Sequence, residues 1–434
     1  MQVCSRRGRR AGAALVCGAL VCAVLAIAVL PAGAKVYTLD ECIEIALTDN
    51  TTLARAREDL HAAGSSVLSS WSSVLPHVSA GLSKSGMTNV IDGEDSTSES
   101  FGGSLSLSQT LLDGASFARI AGAHRSRTAT ELSLEATRRQ TVFDTKQGYY
   151  GLLRSVQLRD VQEEAVELAR EQLRKTQSLF DLGSASRSDL LKAQVQVGES
   201  ELALIAAEKS AAIARTGLAF TLGIDVTTDI EAVDTPEDGR EEDITEYDLE
   251  TAISSRPDIM AWEELVIASR RSLLASKAAR WPDLGLSVSY TRGAETFEEF
   301  RDDVSDDYQR SVNLSVSLPI FNGLSTKASI DNSKSSLRSS EIALRGARLS
   351  AAYEIESARL AADEGRRSVA VAEQSVLQAE EDLKVSEERF RLRAASMLEL
   401  IDARVAYSRA RADLVNARYN YELAKAELKL ALGL

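Results

Sequence analysis

Aromatic residues make up only 5% of the chain, and its 434 residues include six prolines and three histidines. Large aromatic side chains supply much of the buried area of a thick globular core, so their scarcity counts against an ordinary globule. The histidines His61, His77 and His124 are isolated, no glycine-rich phosphate loop is present, and the many serines lack a nucleophile-elbow context. No constellation supports catalysis or a cofactor, and the chain reads as something other than an enzyme. Ala, Leu, Ser, Glu and Arg dominate instead, the palette of long, closely packed helices.

Three of the four cysteines, Cys4, Cys17 and Cys22, fall in the first 34 residues. There Arg6, Arg7, Arg9 and Arg10 precede an apolar run from Ala11 to Leu30 and then Pro31-Ala32-Gly33-Ala34. That order of basic, apolar and small-residue regions is a signal peptide over 1–34, with Lys35 as the expected mature start. Neither Cys17 nor Cys22 follows a small residue, which speaks against lipidation. Cleavage strands Cys42 alone, leaving no intrachain disulfide and no cysteine metal cluster. Loss of the four arginines also makes the formal charge of −14 more negative. An acidic exported protein is a poor partner for nucleic acid.

The chain is duplicated. Residues 35–224 form a first repeat and 244–434 a second, joined by an acidic linker, 225–243, that contains Pro236 and Gly239. Ala46-Leu47-Thr48 lies over Ala252-Ile253-Ser254, Pro76 over Pro282, Asp113-Gly114 over Asn322-Gly323, and Leu222-Gly223-Ile224 over Leu432-Gly433-Leu434. Each repeat is expected to contain an opening helix, a β-hairpin (74–112 and 283–321), a long helix and a returning helix. The opening helix reads as Asp40 to Ser73, ended by Pro76.

In the hairpins the pattern switches to period two. Val78, Ala80 and Leu82 alternate with Ser79, Gly81 and Ser83; Leu284, Leu286, Val288 and Tyr290 form one face in the second repeat, and Val312 to Ile320 another. The opposite faces are Ser, Gly and Asn, as expected of a wall with lipid on one side and water on the other. Each hairpin encloses an acidic loop, 89–100 and 295–309, without the ordered carboxylate spacing of a calcium loop. The long stretches Ala115 to Leu182 and Leu324 to Leu392 contain no proline and would each reach roughly 100 Å as helix. The returning helices carry Leu190, Val197, Leu204, Ala211 and Leu218, and Leu400, Tyr407, Leu414, Tyr421 and Leu428, a coiled-coil repeat. The expected class is therefore mainly α with a small β part, built from a tandem structural repeat. Four strands cannot close a barrel, and an open edge cannot face lipid, so several chains must share one wall.

Thr38 to Leu47, the Leu-Pro and Trp-Pro entries to the first strand of each hairpin, Leu111-Leu112-Asp113-Gly114, Pro319-Ile320-Phe321-Asn322-Gly323 and Ala417 to Gly433 resemble the TolC-like outer-membrane efflux family over essentially the whole mature chain. The resemblance implies a homotrimer in the bacterial outer membrane. A twelve-stranded pore would continue as an α-barrel tunnel across the periplasm, docked to a periplasmic adaptor (membrane fusion) protein and an inner-membrane pump or ABC transporter, in efflux or type I secretion. It also implies a periplasmic gate of acidic residues, carried onto Glu399 and Asp402, with Asp189 and Lys192 at the equivalent places of the first repeat. Adaptor-docking tips are carried onto Leu182, Gly183 and Ser184 and onto Leu392 and Arg393. Three positions depart from the family pattern: Glu399 replaces an aspartate, Lys192 stands opposite Asp402, and Ala395 replaces a basic residue that ties the closed tip. Lys192, Arg391 or Arg393 is expected to supply that tie. Locally, Ser186 with Asp189 and Ser396 with Glu399 read as helix capping boxes. The competing class is an exported coiled-coil scaffold or adhesin without a pore.

Overall fold

The structure, a computed structural model, describes residues 35–91, 94–234, 247–302 and 308–434. The expected signal peptide and residues 235–243 of the expected linker lie outside the described residues, as do parts of both acidic loops.

Strand β1 (Lys35–Tyr37) leads into α1 (Leu39–Asp49) and α2 (Thr51–Ser72). The expected single opening helix is thus two. Asn50 ends one and caps the next: its side-chain oxygen accepts from the N–H groups of Thr52 and Leu53, while its amide donates to the Thr221 carbonyl at 2.7 Å. The second repeat breaks at the equivalent place, between α5 (Leu249–Ser255) and α6 (Pro257–Ala278), where Pro257 occupies the first helical turn.

The hairpins are β2 (His77–Ile91) with β3 (Glu94–Leu112), and β5 (Asp283–Ala294) with β6 (Tyr308–Ser317), the latter pair flanking a short helix α7 (Phe297–Asp302). They join through β3 and β5 into one antiparallel sheet of order β2-β3-β5-β6. The last strand stops at Ser317, short of the expected Ile320, because Pro319 has no N–H to add to a ladder. Register keeps the two faces chemically separate. Val78, Leu107, Val288 and Val312 form one row across the sheet, and Ser79, Ser106, Ser289 and Ser311 form a row on the other face. In that second row, hydroxyl pairs at 2.7 Å link Ser79 to Ser106 and Ser289 to Ser311.

From the sheet descend α3 (Gly114–Asp181) and α8 (Ser325–Arg391), 68 and 67 residues without interruption. Each turns back into a returning helix, α4 (Arg187–Leu222) and α9 (Met397–Ala431). The end of α4 meets the α1–α2 break, with Gly223 against Asp49, and the end of α9 meets the α5–α6 break, with Gly433 against Arg256. The result is a slab four helices wide, in which α3 and α8 run its length and α2 with α4, and α6 with α9, stack end to end between and beside them. Small and hydroxyl side chains permit the close approach. Thr141 and Thr145 are buried on α3 with their hydroxyls returned to carbonyls one turn back, and Ser276 meets Ser333 at 2.7 Å between α6 and α8. Among the described residues no helix is long and apolar enough to cross a membrane.

Among the described residues the largest cluster of buried apolar side chains surrounds a parallel ribbon of β1 with β4 (Ile230–Ala232), inside the stretch expected to be only linker. The Tyr149 hydroxyl donates to the Val233 carbonyl at 2.7 Å and accepts from the Val233 N–H at 3.1 Å. Burial pushes Tyr149 up to about 12 and the Cys42 thiol up to about 11.

Candidate functional site

The two helical turns at the far end of the slab share one backbone. Gly183 and Arg393 both have positive φ, 71° and 60°, and the turn closes through N–H bonds to the Phe180 and Leu179 carbonyls in one repeat and the Phe390 and Arg389 carbonyls in the other. Leu182 and Leu392, just before them, are 78% and 71% exposed, unusual for leucines that end long helices and available to a partner.

Both returning helices begin with the expected capping boxes. Ser186 Oγ accepts from the Asp189 N–H at 3.0 Å while Asp189 accepts from the Ser186 N–H at 3.3 Å. Ser396 and Glu399 repeat this at 3.2 and 3.5 Å. Immediately beyond, Met397, Leu400 and Ala403 are buried, Leu400 in a cluster with Leu383. That seating leaves Glu399 and Asp402, three apart, exposed together on the opposite face of α9. In the first repeat Leu190 and Ala193 are buried, Asp189 is half-buried and Lys192 is exposed. Two acids therefore stand at one tip where an acid and a base stand at the other.

The basic partner of Glu399 within the chain is none of the three expected. Arg389, two residues before the end of α8, reaches Glu399 at 3.5 Å, whereas Arg391 pairs with Glu388 at 2.8 Å. Arg389 spans the turn because it lies on the side of α8 that faces α9.

Sequence reasoning also passed over a seven-residue basic repeat on α9. Arg404 Nη1 donates to the Leu168 carbonyl of α3 at 2.7 Å and Nη2 to Glu387 of α8 at 2.8 Å, and its Nε is buried without a partner among the described residues. Arg411 pairs with Glu164 of α3, and Arg418 with Glu373 of α8 at 3.0 Å. The spacing 404, 411, 418 is a heptad, and it was the available signal. Arg404 and Arg411 border a cavity of about 380 Å³ between α3, α4 and α9, lined by Leu168, Ala193, Leu400 and Tyr407 among others. Among the described residues no cluster of His, Cys, Asp and Glu could hold a metal ion.

An open sheet with one apolar and one hydroxyl face, carried on a slab of helices about 100 Å long, is the protomer architecture of outer-membrane channels. The *Campylobacter jejuni* CmeC outer membrane channel superposes with a TM-score of 0.81 at 20% identity, over 91% of this chain and 85% of that one. The open state of the *Neisseria gonorrhoeae* MtrE outer membrane channel gives 0.73 at 22%, over 91% and 88%. The chain belongs to the outer membrane efflux protein family, whose model matches residues 42–224 and 249–434. Among curated relatives, outer membrane efflux protein BepC of *Brucella suis* biovar 1 is 24% identical over 234 residues, 53% of this chain and 49% of that protein. Pyoverdine export outer membrane protein OpmQ of *Pseudomonas putida* is 26% identical over 304 residues, 65% and 62%. The matches thus span about half to three-fifths of those relatives.

Proposed function

We propose that the chain is one subunit of a homotrimeric channel-tunnel that passes substrates outward through the outer membrane, with the helical slab in the periplasm and the tips facing an adaptor protein and an inner-membrane pump or transporter. The observation that carries this reading is a pair of unfinished edges. Among the described residues the sheet ends in β2 and β6, each paired on one side, and the slab ends in α4 and α8. Those edge helices expose six and seven large apolar residues, Leu202, Ile213, Leu349 and Leu360 among them, against one and two on the inner helices α3 and α9. Edges that differ from each other join head to tail and close a ring. Three chains bring about twelve strands, within the range of membrane barrels, and closure satisfies every edge amide in hydrocarbon.

Glu399 and Asp402 of three subunits would then form a six-carboxylate constriction, a ring that concentrates cations and is blocked by multivalent ones. Arg389 is the counter-charge that opening must release. Leu182, Gly183, Ser184, Leu392 and Arg393 form the adaptor-docking rim. Light scattering of detergent-extracted protein should give a trimer, and planar-bilayer recordings a cation-selective pore. Glu399→Gln with Asp402→Asn should lower cation selectivity and multivalent block; unchanged selectivity would remove both residues from the gate. A water-soluble monomer would favour the scaffold alternative and overturn the channel.

A further inference from the structure

The four membrane strands contain three basic residues, Lys84, Arg292 and Arg310, and all three stand on the apolar face. They occupy successive rows at its outer end. Arg310 lies opposite Tyr290, Arg292 opposite Tyr308, and Lys84 opposite Phe101. Below them the face continues as Leu107, Val288 and Val312, and then Leu286 and Leu314. Above them come polar residues, with Glu99 the first acid.

Aromatic rings sit among the cations. Tyr290 and Tyr308 stack at 5.6 Å, and the Arg310 guanidinium lies 5.9 and 4.8 Å from their centroids. Arg292 lies 5.3 Å from the ring of Phe300, which α7 folds down over Gly103, and donates to the Glu299 carbonyl at 3.0 Å. Lys84 is already neutralised by Glu99 at 2.9 Å. Arg310 has only rings as partners among the described residues.

An arginine on the lipid side of a barrel is strongly unfavourable at the bilayer midplane and costs close to nothing at its surface. These rows therefore belong at headgroup level, where tyrosines also prefer to lie. A guanidinium there, with its planar fork of donors unused, is matched by phosphate oxygens. We propose that this rim binds the phosphate of an anionic outer-leaflet lipid, with Arg310 and Arg292 as donors and the Tyr290–Tyr308 stack as the apolar floor beneath the headgroup. The proposal rests on the channel reading, which turns the apolar face to lipid.

The test is native mass spectrometry of the detergent-solubilised full assembly, incubated with phosphatidylglycerol or with phosphatidylcholine of identical chains. The wild type should retain phosphatidylglycerol at collision energies that strip phosphatidylcholine. Arg292→Gln with Arg310→Gln should cut that retention about tenfold or more, since each basic residue near the surface contributes roughly fivefold. Arg310→Lys should keep a partial preference, as a point charge without the fork. Equal retention of the two lipids, or full retention by the double variant in an intact trimer, would overturn the site and leave the channel standing. A soluble monomer retaining neither lipid would overturn both.

Discussion

The two repeats use one backbone plan with different side chains at its corners, and the corners are where they diverge in consequence. At the joint between returning and opening helix, Gly223 and Gly433 share a left-handed conformation, φ 77° and 72°. Their surroundings differ. A Cβ at Gly223 would sit 2.3 Å from the Asp49 carbonyl oxygen, whereas one at Gly433 would first meet the Arg256 side chain at 3.3 Å. Backbone cannot give way as a flexible side chain can, so the first joint is the stricter. Gly223→Ala should cost about 3 kcal/mol or more, combining left-handed strain with a displaced backbone. Gly433→Ala should cost about 1 kcal/mol. Thermal melts of the two variants side by side check the difference; equal losses would mean the joints are equivalent after all.

A second asymmetry lies along the returning helices. Arg404 on α9 bridges α3 and α8, while its counterpart on α4, Gln194, is exposed. Arg404→Ala takes the donor from the Leu168 carbonyl and leaves a hole at the edge of the cavity. The loss should be about 2–3 kcal/mol, against less than about 0.5 kcal/mol for Gln194→Ala. Denaturant midpoints measure both. A small effect at Arg404 would show that neither its bonds to Leu168 and Glu387 nor its packed stem sets the second returning helix apart from the first.

These corners also mark where sequence reading stops. The duplication, the alternation of Val78 to Ser83 and the proline-free helices are local patterns whose period names the element, and the structure has them. The β1–β4 ribbon pairs three residues with three others far along the chain and has no local period to announce it. Asn50 looked like one more polar residue in a helix until the Thr221 carbonyl lay beside it. The tip's basic residues Lys192, Arg391 and Arg393 are the ones sequence offers as a tie to Asp189, Glu399 or Asp402. Arg389 makes the contact with Glu399 because it lies on the side of α8 turned toward α9, while Arg391 is taken up by Glu388 on its own helix.

The cores differ in their response to alkali. That of the first repeat contains Cys42 and Tyr149, whereas that of the second consists of Ala, Ile and Leu. Burial raises the Cys42 thiol from 9.0 to about 11 in the folded chain. Below pH 9 both folded and unfolded states hold the proton and nothing is lost. Between pH 9 and about 11 the unfolded state releases it and the folded state does not, so stability falls as pH rises, by up to about 1.4 kcal/mol per pH unit. Cys42→Ala should flatten that slope in melts taken from pH 8 to 10.5, and should do so without altering stability at neutral pH by more than a small cavity effect.

The tips give the smallest effect and the sharpest comparison, because their turns are the same and only the residue at the left-handed position changes. Glycine enters that region freely, but an arginine there sets its Cβ against the carbonyl that follows. Arg393 is therefore held at a local cost that Gly183 does not bear. Arg393→Gly should raise stability by about 1 kcal/mol, offset in part by the added freedom of the unfolded chain, and Gly183→Ala should lower it by a similar amount. Sequence alone gives no reason to retain a strained arginine between exposed Leu392 and the Glu399 pair, but the docking rim proposed above would. If Arg393 contacts the adaptor, Arg393→Gly should be the more stable protein and the poorer partner, with pump-dependent export reduced while the conductance of the isolated pore is unchanged. A variant that is both more stable and fully competent in export would show that the two tips differ by drift and not by function.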